Sequence, residues 1–130
     1  MTALRRIVAV TAGICAASTI GIAPAHAAEG FAGTWEATDI PDGSHMTLTI
    51  SGHAPHFAVH LVDDVATVCG GTRAVVTGRG EQDQDLLFAR VRVVCTPGGD
   101  VIKEHVEPVW QYDAATDTLN EPSGIVWHRS

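Results

Sequence analysis

The stretch "GSHMTLTISGHAPHFAVHL", residues 43–61, sets the reading of the whole chain. Met46, Leu48 and Ile50 fall on alternate positions, opposed by His45, Thr47, Thr49 and Ser51. After the turn signal "SGHAP", Phe57, Val59 and Leu61 alternate in the same way with His56, Ala58 and His60. Successive side chains of a strand point to opposite faces, so period two means one face against a core and one in water. Two such runs joined by a Gly- and Pro-bearing turn predict an antiparallel hairpin. Pairing Ile50 with Phe57 and Leu48 with Val59 sets apolar against apolar. That register puts Thr47 opposite His60 and His45 one diagonal step away.

The pattern extends outward from there. In "FAGTWEATD", Phe31, Gly33, Trp35 and Ala37 share one face, while Thr34, Glu36 and Thr38 share the other. "TRAVVTGRG" (72–80) and "DLLFARVRVVC" (85–95) flank the polar turn "EQDQ" and read as a second hairpin. Turn residues also punctuate 41–44, 69–71, 96–100, 113–117 and 121–124, and no mature window carries a helical stripe. The fold class is therefore all-β: about eight short antiparallel strands in a meander. A meander of that length buries one face either as a small closed barrel or as a two-sheet sandwich, and closure removes exposed edges. Pro108, inside "VIKEHVEPVWQY", cannot donate to a ladder, so a bulge or a free edge is expected there.

The first residues have a different grammar. Arg5 and Arg6 precede an uncharged, mostly apolar run from Ile7 to Ala23, closed by Ala25-His26-Ala27. This is the layout of a cleaved signal peptide, residues 1–27, on the general secretory route. The run is short for a membrane span and is broken by Gly13, Gly21 and Pro24. Residues 28–130 then form a single β-barrel-like domain, secreted and read as a monomer. The chain carries a formal charge of −7, and loss of Arg5 and Arg6 makes it two units more negative. With no basic stripe, nucleic acid and anionic membranes are excluded as expected partners.

Two of the three cysteines lie beyond the leader, Cys69 and Cys95, and an isolated pair in an oxidising compartment reads as one disulfide. Folding the second hairpin about Gln82 brings position 69 opposite position 95, so the bridge is expected to staple the hairpin's open mouth.

With the strands laid out, Gly33-Thr34-Trp35 resembles the G-x-W signature that opens calycin barrels, among them lipocalins, avidins and small secreted metalloprotease inhibitors. In lipocalins that tryptophan packs beneath an arginine from the closing strand, and the resemblance implies this role for Trp35 and Arg129. "DGSHMTLTI", "DDVATVCGG", "YDAATDTL" and "GIVWHR" together look like a recurrent type of small secreted bacterial β-domain, a resemblance that implies no activity.

The chemistry offered by the residues is sparse. His45, His56 and His60 share the face away from Phe57, Val59 and Leu61, with His53 in the turn; diagonal neighbours about 7 Å apart can share a zinc or copper ion. Exposed histidines on a solvated sheet are the plain alternative. "EQDQD" (81–85) lacks the glycine and distal glutamate of a calcium loop, and Asp63-Asp64 read as ion-pair partners for Arg73 or Arg90. No G-x-S-x-G, H-E-x-x-H or phosphate loop is present, and His105-Val106-Glu107 lacks the cysteine pair of a zinc deaminase. The expectation is a non-catalytic binding domain without cofactor, for a small apolar ligand or an extracellular protein such as a protease. If it holds a ligand, Trp35, Trp110, Tyr112 and Trp127 supply the walls; if it is an inhibitor, an edge, a loop or Ala28–Ala32 meets the partner. Extracellular metal binding and a small hydrolase are the alternatives.

Overall fold

Alternation along nearly every segment leaves the chain one apolar face to hide, and it does so by closing on itself. The computed structural model describes residues 30–99 and 101–130, with side chains described from residue 105 onward in the second part. The leader expected at 1–27 lies outside the described residues. Among the described residues nine strands follow one another: β1 (Gly33–Thr38), β2 (His45–His53), β3 (His56–Ala66), β4 (Thr72–Asp83), β5 (Leu86–Thr96), β6 (Val101–Val106), β7 (Val109–Asp113), β8 (Thr118–Asn120) and β9 (Val126–Arg129). A single 3₁₀ turn, Thr67–Cys69, joins β3 to β4. Each consecutive pair from β1 to β5 is antiparallel, β5 passes to β7, then β8 and β9, and β9 pairs with β1. The result is a closed antiparallel barrel of eight staves rather than a sandwich.

Nine strands make eight staves because β6 and β7 are one stave interrupted at Pro108. Phe88 faces Val109, and Val91 faces Val106, so the register carries across the break. Pro108 has no N–H, but its carbonyl still accepts from Ala89 N at 3.0 Å. The interruption expected from the sequence is therefore a gap in one stave, with register shifts in the β5–β6 ladder beyond it.

The hairpin of 45–61 forms, with a register two residues from the expected one. Ile50 pairs with Val59 and Leu48 with Leu61, because Ala54-Pro55 alone make the turn and His53 faces His56. A shift of two conserves which face each side chain takes. The second hairpin likewise turns later, at Gln84-Asp85, with Asp83 opposite Leu86. Cys95 therefore pairs in the ladder with Ala74, not with position 69. The disulfide Cys69–Cys95 forms nonetheless, Cα atoms 5.5 Å apart, because the 3₁₀ turn folds Cys69 back beside the end of β5. It ties the β3–β4 connection to the barrel wall.

Inside, Trp35, Trp110, Trp127, Phe31, Leu48, Ile50, Leu87 and Leu119 are all less than 2 % exposed. Room for three tryptophans comes partly from β4, whose inward positions 78 and 80 are glycines. A Cβ at Gly78 would overlap the Arg90 carbonyl oxygen, and one at Gly80 would lie 2.8 Å from Leu87 Cδ1. Close approach of β4 to β5 thus requires bare backbone. A smaller apolar cluster of Ala66, Ala74 and Val93 packs beside the disulfide.

Candidate functional site

Three places on the barrel gather polar or aromatic chemistry. The first closes one end. Gly33 enters β1 at φ 144°, and a Cβ there would run into the Arg129 guanidinium. With that space free, Arg129 lays its guanidinium carbon 3.9 Å from the centroid of the Trp35 ring. Its Nη1 and Nη2 donate to the carbonyls of Ala32 and Gly30 at 2.6 and 2.8 Å, and Nε donates to Asp117 Oδ2 at 2.9 Å. Trp35 Nε1 donates to the Phe31 carbonyl at 3.0 Å, and Tyr112 donates to Asp117 at 3.1 Å. The Arg129 hydrogen bonds hold the Asp117 carboxyl below its ordinary range. Burial, then the bond to Asp117, pushes the Tyr112 hydroxyl up. The tryptophan–arginine pair implied by the calycin resemblance is thus in contact, and it serves as a plug.

The four residues expected to line a ligand cavity sit in the same filled interior. Trp35 and Trp127 are 0 % and Trp110 1 % exposed, and Tyr112 stacks edgewise on Trp35 with ring centroids 6.2 Å apart. The three tryptophans carry next to no accessible surface, while Tyr112 is half-buried against them. Trp110 and Trp127 both donate their indole N–H to Glu121 Oε1 at 2.8 Å, and Ser123 donates to Glu121 Oε2 at 3.1 Å. Glu121, in the β8–β9 loop, locks the two rings. Among the described residues no buried side-chain nitrogen or oxygen lacks a partner. That satisfaction suits a core more than a receptor site.

The histidines are spread out. His60 faces Thr49, not Thr47, leaving His45 four strand positions away, about 13 Å along the sheet. His56 sits at the hairpin tip opposite Glu81. The register shift of two residues separates what the sequence had placed diagonally. No group of three or more His, Cys, Asp or Glu among the described residues is placed to hold a metal ion. His45 instead lies between Glu36 and Asp64, at 4.0 and 3.7 Å. Arg73 meets Asp64 at 3.0 Å, the ion pair expected from the sequence, whereas Arg90 turns to Glu107 at 3.2 Å. At this end Ser44 donates to Asp63, and Asp42 accepts from Ser44 N and Thr67, which lowers the Asp42 carboxyl. Asp39 goes the other way, raised by burial and by the charges of Asp42 and Asp63. Asp42 and Asp63 tie loops together, while Glu36 lines an open hollow with His45 and His128.

The third place is on the outer wall. Where Pro108 interrupts its stave, an open notch of about 630 Å³ is bordered by Phe88, Ala89, Pro108 and Val109, with His56, Arg79 and Arg90 around it. Phe88 is 46 % exposed, the only aromatic so exposed among the described residues. Alternation sends Leu87 and Ala89 inward and leaves Phe88 out. Arg79 stands directly opposite Arg90, both exposed. The chain matches no family model, no curated protein and no solved structure. The site must therefore be read from its own chemistry.

This wall was not among the expected site residues, although its signals lie in the sequence. "DLLFARVRV" alternates, so Phe88, Arg90 and Arg92 share the face opposite Leu87, Ala89 and Val91. What alternation does not supply is the neighbour. Arg79 meets Arg90 only once the hairpin turn is fixed at Gln84-Asp85.

Proposed function

We propose that the chain is a secreted, calycin-like, non-catalytic binding domain that recognises another extracellular protein on its outer wall, around Phe88 and Pro108. The observation that carries this reading is the filled interior. A barrel of this size scarcely exceeds what side chains fill, and three interlocked tryptophans take the volume a ligand would need. The disulfide suits an oxidising compartment. Gly30 and Ala32 are held by Arg129, so the N-terminal stretch is fixed from Gly30 onward rather than offered as an arm. An exposed aromatic beside arginines, bordered by apolar Val109 and Pro108, has the composition of an interface centre.

Two measurements test it. A photo-crosslinking residue at position 88 should capture an extracellular protein that the same residue at Thr34 does not. Titration with apolar fluorescent probes should leave tryptophan emission unchanged. Saturable one-to-one quenching of the tryptophans by a small apolar molecule would overturn the reading in favour of a ligand calyx.

A further inference from the structure

We propose that the partner presents an extended acidic segment, with an apolar side chain among its carboxylates, to the outer wall of β4 and β5. This rests on the wall being the contact surface. Arg79 and Arg90 are directly opposed across the β4–β5 ladder, and like charges so placed destabilise a sheet. Arg92 follows on the same face, opposite Thr77. The remaining arginines of the described residues are neutralised within the barrel, Arg73 by Asp64 and Arg129 by Asp117. Among the described residues, the side chains of Arg79 and Arg92 make no hydrogen bond or ion pair. Arg90 has Glu107, but the two side chains are 73 % and 69 % exposed, a pairing that water and salt weaken and an incoming carboxylate can displace.

Among the described residues, the wall is thus where positive charges stand side by side, Arg79 without an ion pair and Arg90 with only an exposed one. Guanidinium forks donate to carboxylates in a planar, two-point fashion. Phe88 lies two positions from Arg90 on the same face, about 7 Å along the strand, so an apolar side chain can rest on it while neighbouring carboxylates meet the arginines. Glu81 and Glu107 border the patch, and the chain's net charge of −7 surrounds it. A long uniform polyanion would meet repulsion beyond the arginines, whereas a short acidic segment ends before it.

The test uses isotope-labelled protein and nuclear magnetic resonance. Three probes are titrated: a capped peptide alternating aspartate with leucine, its lysine counterpart, and a sulfated oligosaccharide. The aspartate peptide should shift resonances of β4, β5 and β7, and added salt should weaken it. Arg79→Ser together with Arg90→Ser should lower its affinity at least about tenfold, and Phe88→Ala about tenfold. These side chains are exposed, so unchanged spectra elsewhere verify the fold. Overturning results are no binding at millimolar peptide, equal binding of the lysine peptide, insensitivity to the arginine substitutions, or preference for the oligosaccharide. Should position 88 still crosslink a protein after any of these, only the acidic-segment inference fails. Quenching of the tryptophans by an apolar small molecule removes the reading beneath it.

Discussion

Two arginines of this barrel, Arg129 and Arg79, stand in opposite circumstances. Arg129 is 17 % exposed in its side chain, stacked on Trp35, bound to Asp117 and to two backbone carbonyls. Arg79 lies on the outer wall facing Arg90, with no partner for its charge among the described residues. The end of the barrel is a finished structure in which each donor has its acceptor. The wall is unfinished in the same sense, and an uncompensated local cost on a surface is where a binding role is sought. The closing cluster covers a core in which Trp35, Trp110 and Trp127 are all buried, and the proposed recognition surface lies outside it.

Substitutions at the two places should therefore behave in opposite ways. The largest effect is expected for Trp35→Ala, which empties the space beneath Arg129 and should cost about 3–5 kcal/mol in denaturant unfolding. A loss under about 1 kcal/mol would mean that the plug is not part of the core. Arg129→Lys keeps the charge but loses the planar fork and the stack on Trp35, and should cost roughly 2–3 kcal/mol by the same measurement.

Asp117 gives the contrast a pH dependence. Its folded carboxyl is held below the ordinary value, so its contribution to stability is complete above about pH 4 and is lost as the pH falls from there through the folded value. Asp117→Asn should cost roughly 1 kcal/mol at neutral pH, since the carboxylate is partly exposed, and should flatten the stability curve below about pH 4. Equal acid sensitivity in both proteins would break the assignment. The smallest effect belongs to the wall. Arg79→Ser should leave stability unchanged or raise it by up to about 0.5 kcal/mol, because it relieves a like-charge pair. Marked destabilisation would show Arg79 to be a structural residue after all.

Much of the fold was readable from local pattern, and the misreadings share a cause. Period two gave the inward set of β1, β2 and β3 because it depends only on the alternation of a single strand. Pro108 announced the broken stave because the missing N–H is a property of the residue itself. Both hairpin registers were misplaced, the first by two residues, since the two-residue turns Ala54-Pro55 and Gln84-Asp85 are tighter than the polar stretches around them suggest. That error left faces intact in the first hairpin, where the shift is even, but in the second the shift is odd and changes which residues share a face; neighbours were lost in both. It is why His45 and His60 read as a pair yet lie apart, and why Arg79 and Arg90 went unpaired in the sequence yet meet. The Cys69–Cys95 bridge was anticipated by count, while its route through a 3₁₀ turn was not.

By itself, the sequence determined an all-β chain with one apolar face, a disulfide pair and a Gly-x-Trp start, all consequences of residue chemistry and local periodicity. Only the tertiary structure decided that the interior is solid and that like charges adjoin on the outer wall. Packing volume and cross-strand adjacency depend on how distant segments are brought together, and no single strand carries that information.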